Sequence, residues 1–593
     1  MRRNLVLFLV LSSPLIFAQD TPFRSIHVEE SEYYRDHRVE ACSIQPKRVS
    51  NTASGCTLKK IVFGYHTYWT GNAYLNYQWN LLSDLCYFSY EVDPATGMPV
   101  TIHEWLTDPA VDSAQANGVR THLCATLFSG HGTFFSNPVS KQNLIDSLIS
   151  LVQLRNGDGI NLDFEAVPAA YGEEMVDFTI DLAQQYHSLN PDGIVSMALP
   201  SVDWSGIFNI DLLKEHIGIF FIMGYDYYWN GSAQAGPVAP LYSMTGIFNY
   251  NLSRTISYYL FEGVPLEKLI LGMPYYGRQW PTESGSSPSN TTGNGTAYRY
   301  RTIKNSSGTN YTPENRQWEQ HSFSTYYAFQ ENSNWYQCFL CETADLEYRY
   351  NIVNQRELGG IGMWALGYDD GYTELWQLIA DHFTDCAILP CTDTIYDSGG
   401  PYWNYYNHED YSVTLHSCDN TQIAISFKSF SLESGFDSLW VYDGADTNAQ
   451  KIGAFSGNDL PSSIITTGSD LTLLFRSDAG QTMPGWMAVY ESGYVFIEDE
   501  PSPSNASMVF PNPAQSRITI SFPADVFSEL STSGGRFCLD IYTVNGQKME
   551  EIQIPGGTRY QEIDVTGFHE GIYLLVLHGE SGIVKREKFV IAR

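Results

Sequence analysis

Positive charge is what this chain has least of: 33 lysines and arginines stand against 66 aspartates and glutamates, a formal net charge of −33. Such a surface repels nucleic acid and anionic membranes, so neither is an expected partner and a neutral polymer is the more natural one. Long apolar runs are missing too. The run Leu5 to Val10 is too short to span a bilayer, and no other segment is long enough, so the mature protein is expected to be soluble, without a transmembrane segment. Ten cysteines in 593 residues are too few for a disulfide scaffold. They fall partly in close pairs, Cys42 with Cys56, Cys338 with Cys341 and Cys391 with Cys418, which suits an oxidising compartment. No second pair at zinc spacing accompanies Cys338 and Cys341, so metal binding there is the weaker reading.

What is present divides the chain into segments. Arg2 and Arg3, the apolar run and the small residue Ala18 read as a cleavable signal peptide over 1–18. A segment over 19–57 follows. From there short apolar runs alternate with helix-length stretches: Ile61–Tyr65, Leu85–Ser89, Thr121–Thr126, Gly159–Glu165, Val195–Leu199, Ile219–Tyr225, Leu269–Met273 and Gly360–Trp364. Eight βα units predict an α/β fold, a closed (β/α)₈ TIM barrel, over 58–388. A stretch at about 281–345, rich in Ser, Asn, Thr and Gly at its start, breaks the rhythm and reads as an inserted loop or small subdomain on the active face. Two β-patterned units, expected to be β-sandwiches, follow at 391–492 and 508–593, with an acidic, Pro- and Ser-containing linker at 493–507.

The fourth run reads Asp158-Gly-Ile-Asn-Leu-Asp-Phe-Glu165. Strand alternation sends Asn161, Asp163 and Glu165 to one face and Ile160, Leu162 and Phe164 to the other. In a barrel the polar set points inward, with Glu165 nearest the C-terminal mouth. Buried carboxylates without cationic partners are costly, and none is local in sequence, so a purely structural polar layer is a poor explanation. The stretch resembles the signature of glycoside hydrolase family 18, the chitinase family. Met223-Gly-Tyr225-Asp226, Gly272-Met-Pro-Tyr-Tyr-Gly277 and Trp364 resemble that family's later motifs, in order, over about 58–385. Asn161 falls within the family pattern, where many members carry Asp, and resembles the branch that includes peptidoglycan-acting glucosaminidases of spores.

The resemblance implies a secreted hydrolase of β-1,4-linked N-acetylglucosamine polymers, chitin being the leading substrate, working by a retaining, substrate-assisted mechanism without a cofactor. Glu165 is then the acid, Asp163 holds the acetamido N–H, Tyr225 and Asp226 position that group, and Trp364 floors the sugar subsite. Asn161 and Met223 belong to the same lining. Tyr65, Trp69, Trp204, Trp229 and Trp280 closely follow barrel strands and are expected at the mouth, where sugar faces stack on rings. His66, His122 and His131 form no recognisable metal set. Rival readings are a peptidoglycan N-acetylglucosaminidase, an endo-β-N-acetylglucosaminidase on N-glycans, and a chitin-binding lectin or adhesin; the presence of Glu165 argues against the last.

Residues 391–492, with Phe436-Asp-Ser-Leu-Trp-Val-Tyr-Asp-Gly444 and Gly485-Trp-Met-Ala-Val-Tyr490, resemble a CUB domain. The likeness implies a disulfide between Cys391 and Cys418 and a calcium site at Glu433, Asp437 and Asp478. The terminal unit, with Val509-Phe-Pro-Asn-Pro-Ala514, the turn Val544-Asn-Gly546 and Gly571-Ile-Tyr-Leu-Leu-Val576, resembles the C-terminal sorting domain of the type IX secretion system. That likeness implies the secretion machinery as a partner and an extracellular or surface-attached location.

Overall fold

Eight parallel strands close on themselves in a computed structural model of the chain: β1 Ile61–Thr67, β2 Asp84–Val92, β3 Arg120–Leu127, β4 Gly159–Phe164, β5 Ile194–Leu199, β6 Ile219–Ile222, β7 Leu269–Pro274 and β8 Gly360–Trp364. Each pairs with its sequence neighbour, and β1 pairs with both β2 and β8, which makes the sheet a barrel. The structure describes residues 23–37, 56–494 except 247 and 388, and, between 509 and 592, the segments 509–510, 514–521, 537–543, 548–555, 558, 560–579 and 582–592. The residues read as a signal peptide, Arg2, Arg3, Leu5–Val10 and Ala18, lie outside these, as do Cys42, the expected linker Ile497–Ser504, Pro511–Pro513 and the expected turn Val544–Gly546.

Alternation along β4 has the expected sense. Phe164 turns outward and stacks on Phe178 of the helix Gly172–Leu189, with ring centroids 5.8 Å apart. That helix and Pro138–Leu154, started by the Asn137 cap and a proline in its first turn, bury Leu144, Leu148, Val152, Met175 and Leu182 against the barrel. At the foot of β4 a Cβ on Gly159 would lie 2.2 Å from the His122 ring, so only glycine fits between β3 and β5.

The insertion is a folded subdomain rather than a loop. Thr296–Arg299, Tyr276–Thr282, Asn334–Leu340, Ser324–Glu331 and Arg316–Glu319 form, in that order, a five-stranded antiparallel sheet. Cys338 and Cys341 are buried free thiols in and beside it, pushed well above the usual thiol range by burial, so their close spacing does not make a bridge. A disulfide joins Cys56 to Cys386 instead, across 330 residues, and ties together the segments that enter and leave the barrel. Residues 391–494 form two four-stranded antiparallel sheets around a core that includes Ile425, Leu439, Phe475 and Trp486, with Cys391 bonded to Cys418. Residues 496–593 are a separate compact unit with a three-stranded and a four-stranded sheet.

Before the barrel, Ser25 caps a helix, α1 (Ile26–Asp36), by accepting a hydrogen bond from the Val28 N–H. Nothing in the apolar pattern of the chain foretells where it goes: it enters the mouth of the barrel.

Candidate active site

Asp163, near the end of β4, and Glu165, just beyond it, stand at the mouth, both buried. The chain turns sharply after the acid, since Ala166 has a left-handed φ of 54°, which an L-residue adopts only under tertiary constraint. Below them, Asn161 is engaged on both sides of its amide: its oxygen accepts from Tyr65 Oη at 3.0 Å and its nitrogen donates to Ser196 Oγ at 2.9 Å. Tyr65 is thus a fully buried support under the site, not an exposed platform.

β6 ends at Ile222, so Met223, Tyr225 and Asp226 lie on the turn that follows and not on the strand. Asp226 is held with φ at 58°. Its Oδ1 accepts from Tyr276 Oη at 2.6 Å and from Arg278 Nη2 at 3.3 Å, so the carboxylate is aimed from the insertion side. Trp364 closes the opposite wall at the end of β8, fully buried.

Of the other rings expected at the mouth, Trp69 is buried beside Trp364, with centroids 6.3 Å apart. Trp204, 73% exposed, and Trp229 line an open cavity of about 550 Å³ that reaches Glu165, Met223 and Tyr225. Trp280 departs from expectation. It is fully buried in the insertion, donates Nε1–H to the Trp229 carbonyl at 3.2 Å and is covered by Gly295, so it presents no face to the cleft. His66 bonds Tyr77, His122 bonds Asp84 at 2.8 Å, and His131 bonds the Leu127 carbonyl; each is used locally.

The site contains a group that the motifs do not announce. His27 of α1 sits between the carboxylates, its Nδ1 2.8 Å from Asp163 Oδ2 and 3.2 Å from Glu165 Oε1, its Nε2 2.9 Å from Tyr225 Oη. Its ring stacks on Trp364 at 3.6 Å and 25°. The Ile26 N–H donates to Asp226 Oδ2 at 2.6 Å, Glu30 accepts from Trp364 Nε1 and Tyr368 Oη, and Glu29 pairs with Arg278. Ser25 ahead of an apolar residue, Glu29 in the first turn and Arg35 in the last are helix signals, and none tells where the helix docks.

Burial of Glu165 raises its pKa, Asp163 raises it further, and His27 works against both. For His27 burial favours the neutral ring, but the charge of Asp163 and its hydrogen bond, with those of Glu165, outweigh it and push the pKa up to about 10. The docked ring is therefore an imidazolium, donating from both nitrogens. His27, Asp163 and Glu165 have the residue types of a metal site, yet their ligand atoms are already in hydrogen-bond contact through the Nδ1 proton.

A second acidic cluster lies in residues 391–494, where carboxylate oxygens of Glu433, Asp437 and Asp478 come within 4.8 Å of one another. Their hydrogen-bond donors are the backbone N–H groups of Asp478, Gly480 and Gln481 and the Tyr405 hydroxyl. A set of hard oxygens held by neutral donors fits a calcium ion.

Comparison with known proteins places these motifs. The family described as "Glycosyl hydrolases family 18" matches residues 61–369, "CUB domain" matches 391–490 and "Secretion system C-terminal sorting domain" matches 508–592. Among relatives, a Bacillus subtilis protein named as a sporulation-specific glycosylase is 27% identical over 260 residues, 42% of this chain and 56% of that protein. Chitotriosidase-1 of Mus musculus is 28% identical over 257 residues, 39% of this chain and 53% of that protein. The chain thus spans about half the length of each of these two relatives. An immunomodulatory active chitinase of Trichuris suis has a solved structure with TM-score 0.49 at 18% identity, covering 55% of this chain and 99% of that one.

Proposed function

Because the chain belongs to family 18 of the glycosyl hydrolases and is a secreted glycoside hydrolase, we propose that it cleaves β-1,4-linked N-acetylglucosamine chains of the chitin type with retention, the substrate's own acetamido group serving as nucleophile. The observation that carries this reading is the convergence of Asp163, Glu165 and Tyr225 on one small polar ring stacked on Trp364.

A sugar seated on Trp364 would place its 2-acetamido group where the His27 ring now lies. Glu165, kept protonated by burial and by Asp163 once the cleft holds a neutral sugar, gives its proton to the glycosidic oxygen. The acetamido oxygen attacks the anomeric carbon as that bond breaks, forming a cyclic oxazolinium. Asp163 accepts the acetamido N–H and stabilises the positive ring, while Tyr225 and Asp226 fix its orientation. Glu165, now ionised, takes a proton from the water that reopens the ring. No metal takes part in this scheme, and calcium at Glu433, Asp437 and Asp478 would stabilise the fold without entering the reaction.

Product profiles on chitin oligomers, peptidoglycan and a high-mannose glycoprotein test the substrate directly. Acetylated oligomers should be cut and fully deacetylated ones should not; equal rates on both, or an inverted first product by NMR, would refute the mechanism. Peptidoglycan is the second reading, favoured by Asn161 and by the relative named for sporulation.

A further inference from the structure

Three rings lining the cleft each receive a partner from the N-terminal segment. His27 stacks on Trp364 at 3.6 Å, Tyr34 on Trp69 at 4.9 Å and 19°, and Phe23 meets Trp229 edge-on at 5.5 Å. Polar groups assigned to substrate are engaged by the same segment: Asp163 and Tyr225 by His27, Asp226 by the Ile26 N–H and Trp364 Nε1 by Glu30, with His27 Nδ1 also 3.2 Å from Glu165 Oε1. Ile26 and His27 are fully buried by the docking, and Arg299 lies over the Tyr34 and Tyr368 rings, 4.9 and 4.7 Å from their centroids. A helix merely resting on the surface would leave these groups to water.

The match goes beyond shape. The intermediate proposed above is a flat, five-membered, cationic ring that offers an N–H to Asp163 and lies on an indole. An imidazolium has the same ring size, planarity, charge and N–H donor, and here it makes those contacts. We propose that residues 23–37 are an autoinhibitory segment that occupies the sugar subsites as an internal mimic of the substrate, with His27 standing for the cyclised acetamido group, and that the barrel works only when this segment has left. The inference rests on the substrate reading for what is being mimicked, but not for the occupancy itself.

The segment is joined through residues 38–55 to Cys56, which the bond to Cys386 fixes on the barrel. Tethering makes redocking intramolecular, so a modest intrinsic affinity suffices to keep substrate out. Cutting the chain within 38–55 removes that advantage and leaves every residue of the docked helix and of the cleft named above unaltered in sequence.

The test compares the full chain, uncut and cut at a protease site engineered into 38–55, using an N-acetylglucosamine tetramer and a synthetic peptide of residues 23–37. Cutting should raise kcat/KM by about tenfold or more, the factor expected from charge-assisted hydrogen bonds of this kind. His27→Ala and Glu30→Ala in the uncut chain should do the same, and the added peptide should inhibit the cut enzyme competitively while its His27→Ala version does not. Tetramer hydrolysis unchanged by cutting, by both substitutions and by added peptide would overturn the proposal and leave the substrate reading intact. Peptide that binds the cut chain through His27, with no turnover of any acetylated oligomer before or after cutting, would uphold the occupancy and refute the substrate reading.

Discussion

Two carboxylates and one imidazole share the buried mouth of the barrel, and their protonation decides what the cleft can do. Glu165 must arrive protonated to act as an acid, and both its burial and Asp163 favour that state. Glu165→Gln keeps the volume and removes the transferable proton; kcat should fall by about 100-fold or more in the cut enzyme with little change in tetramer affinity, as measured by calorimetry. His27 carries a separate pH signature. Its pKa rises from 6.5 free to about 10 docked, so docking takes up a proton, is fully favoured below 6.5 and weakens as pH climbs towards 10. The groups facing the ring are Asp163 and Glu165 at the end of β4, Tyr225 on the turn after β6 and Glu30 on its own helix. The ratio of His27→Ala to unaltered activity should therefore be largest near pH 6 and shrink towards alkaline pH; a flat ratio would show that the charge does not hold the segment. Much of this chemistry was legible in sequence, because alternation alone puts Asn161, Asp163 and Glu165 on one face. The cationic partner whose local absence made those acids suspicious was not, since it comes from 136 residues away.

Among the elements, the barrel strands were readable from their apolar runs, and the turn after β6 was not. Ile219 to Tyr225 has one continuous composition, but the strand stops at Ile222, and the positive φ at Asp226 comes from contacts with Tyr276 and Arg278 of the insertion. The sequence of the insertion left loop and subdomain open for a related reason, and put Trp280 at the mouth. Its Ser- and Asn-rich start has loop composition, and only pairing with Tyr276–Thr282 turns the later part into a sheet, burying Trp280 away from the cleft. Cysteine spacing along the chain leaves the partner of Cys56 open, and closure of the barrel brings Cys386 to it. That bridge links the segments that enter and leave the barrel, so it restrains the unfolded chain over a very long loop. Cys56→Ser should cost about 2–5 kcal/mol in stability, read as a lower denaturant midpoint, while leaving the uncut enzyme inhibited to the same degree, because residue 56 still runs directly into β1 and keeps the segment tethered. A rise in basal turnover with Cys56→Ser would show that the anchor contributes to docking.

At the scale of the whole molecule, the barrel and residues 391–494 belong to one compact unit, and the seam between them is built from specific contacts. Trp403 donates to the Ser243 carbonyl at 2.7 Å, the Asn251 side chain donates to Tyr406 Oη at 2.8 Å, and the Arg356 guanidinium lies over the Tyr411 ring, 3.2 Å from its centroid. Arg356 and Tyr411 are both nearly inaccessible to water, so separating the two domains would expose a desolvated cation and its aromatic partner together. The CUB domain is thus mechanically part of the enzyme's scaffold, and a ligand that stabilises it should be felt in the barrel. Calcium at Glu433, Asp437 and Asp478 is the ligand to use. If it binds the folded state alone, a concentration 100-fold above its Kd adds about 2.7 kcal/mol to the cooperative unit, whichever domain holds the ion. Calcium should therefore raise the melting temperature reported by the barrel's tryptophans as well as that of the CUB sheets, and Asp437→Ala should abolish both shifts. Turnover of the tetramer at a temperature well below melting should not change with calcium or with chelator, because no residue of that cluster reaches the cleft. A shift confined to the CUB sheets would mean that the seam does not couple the domains, and loss of turnover on chelation in the Asp437→Ala variant would place a metal in the active site itself.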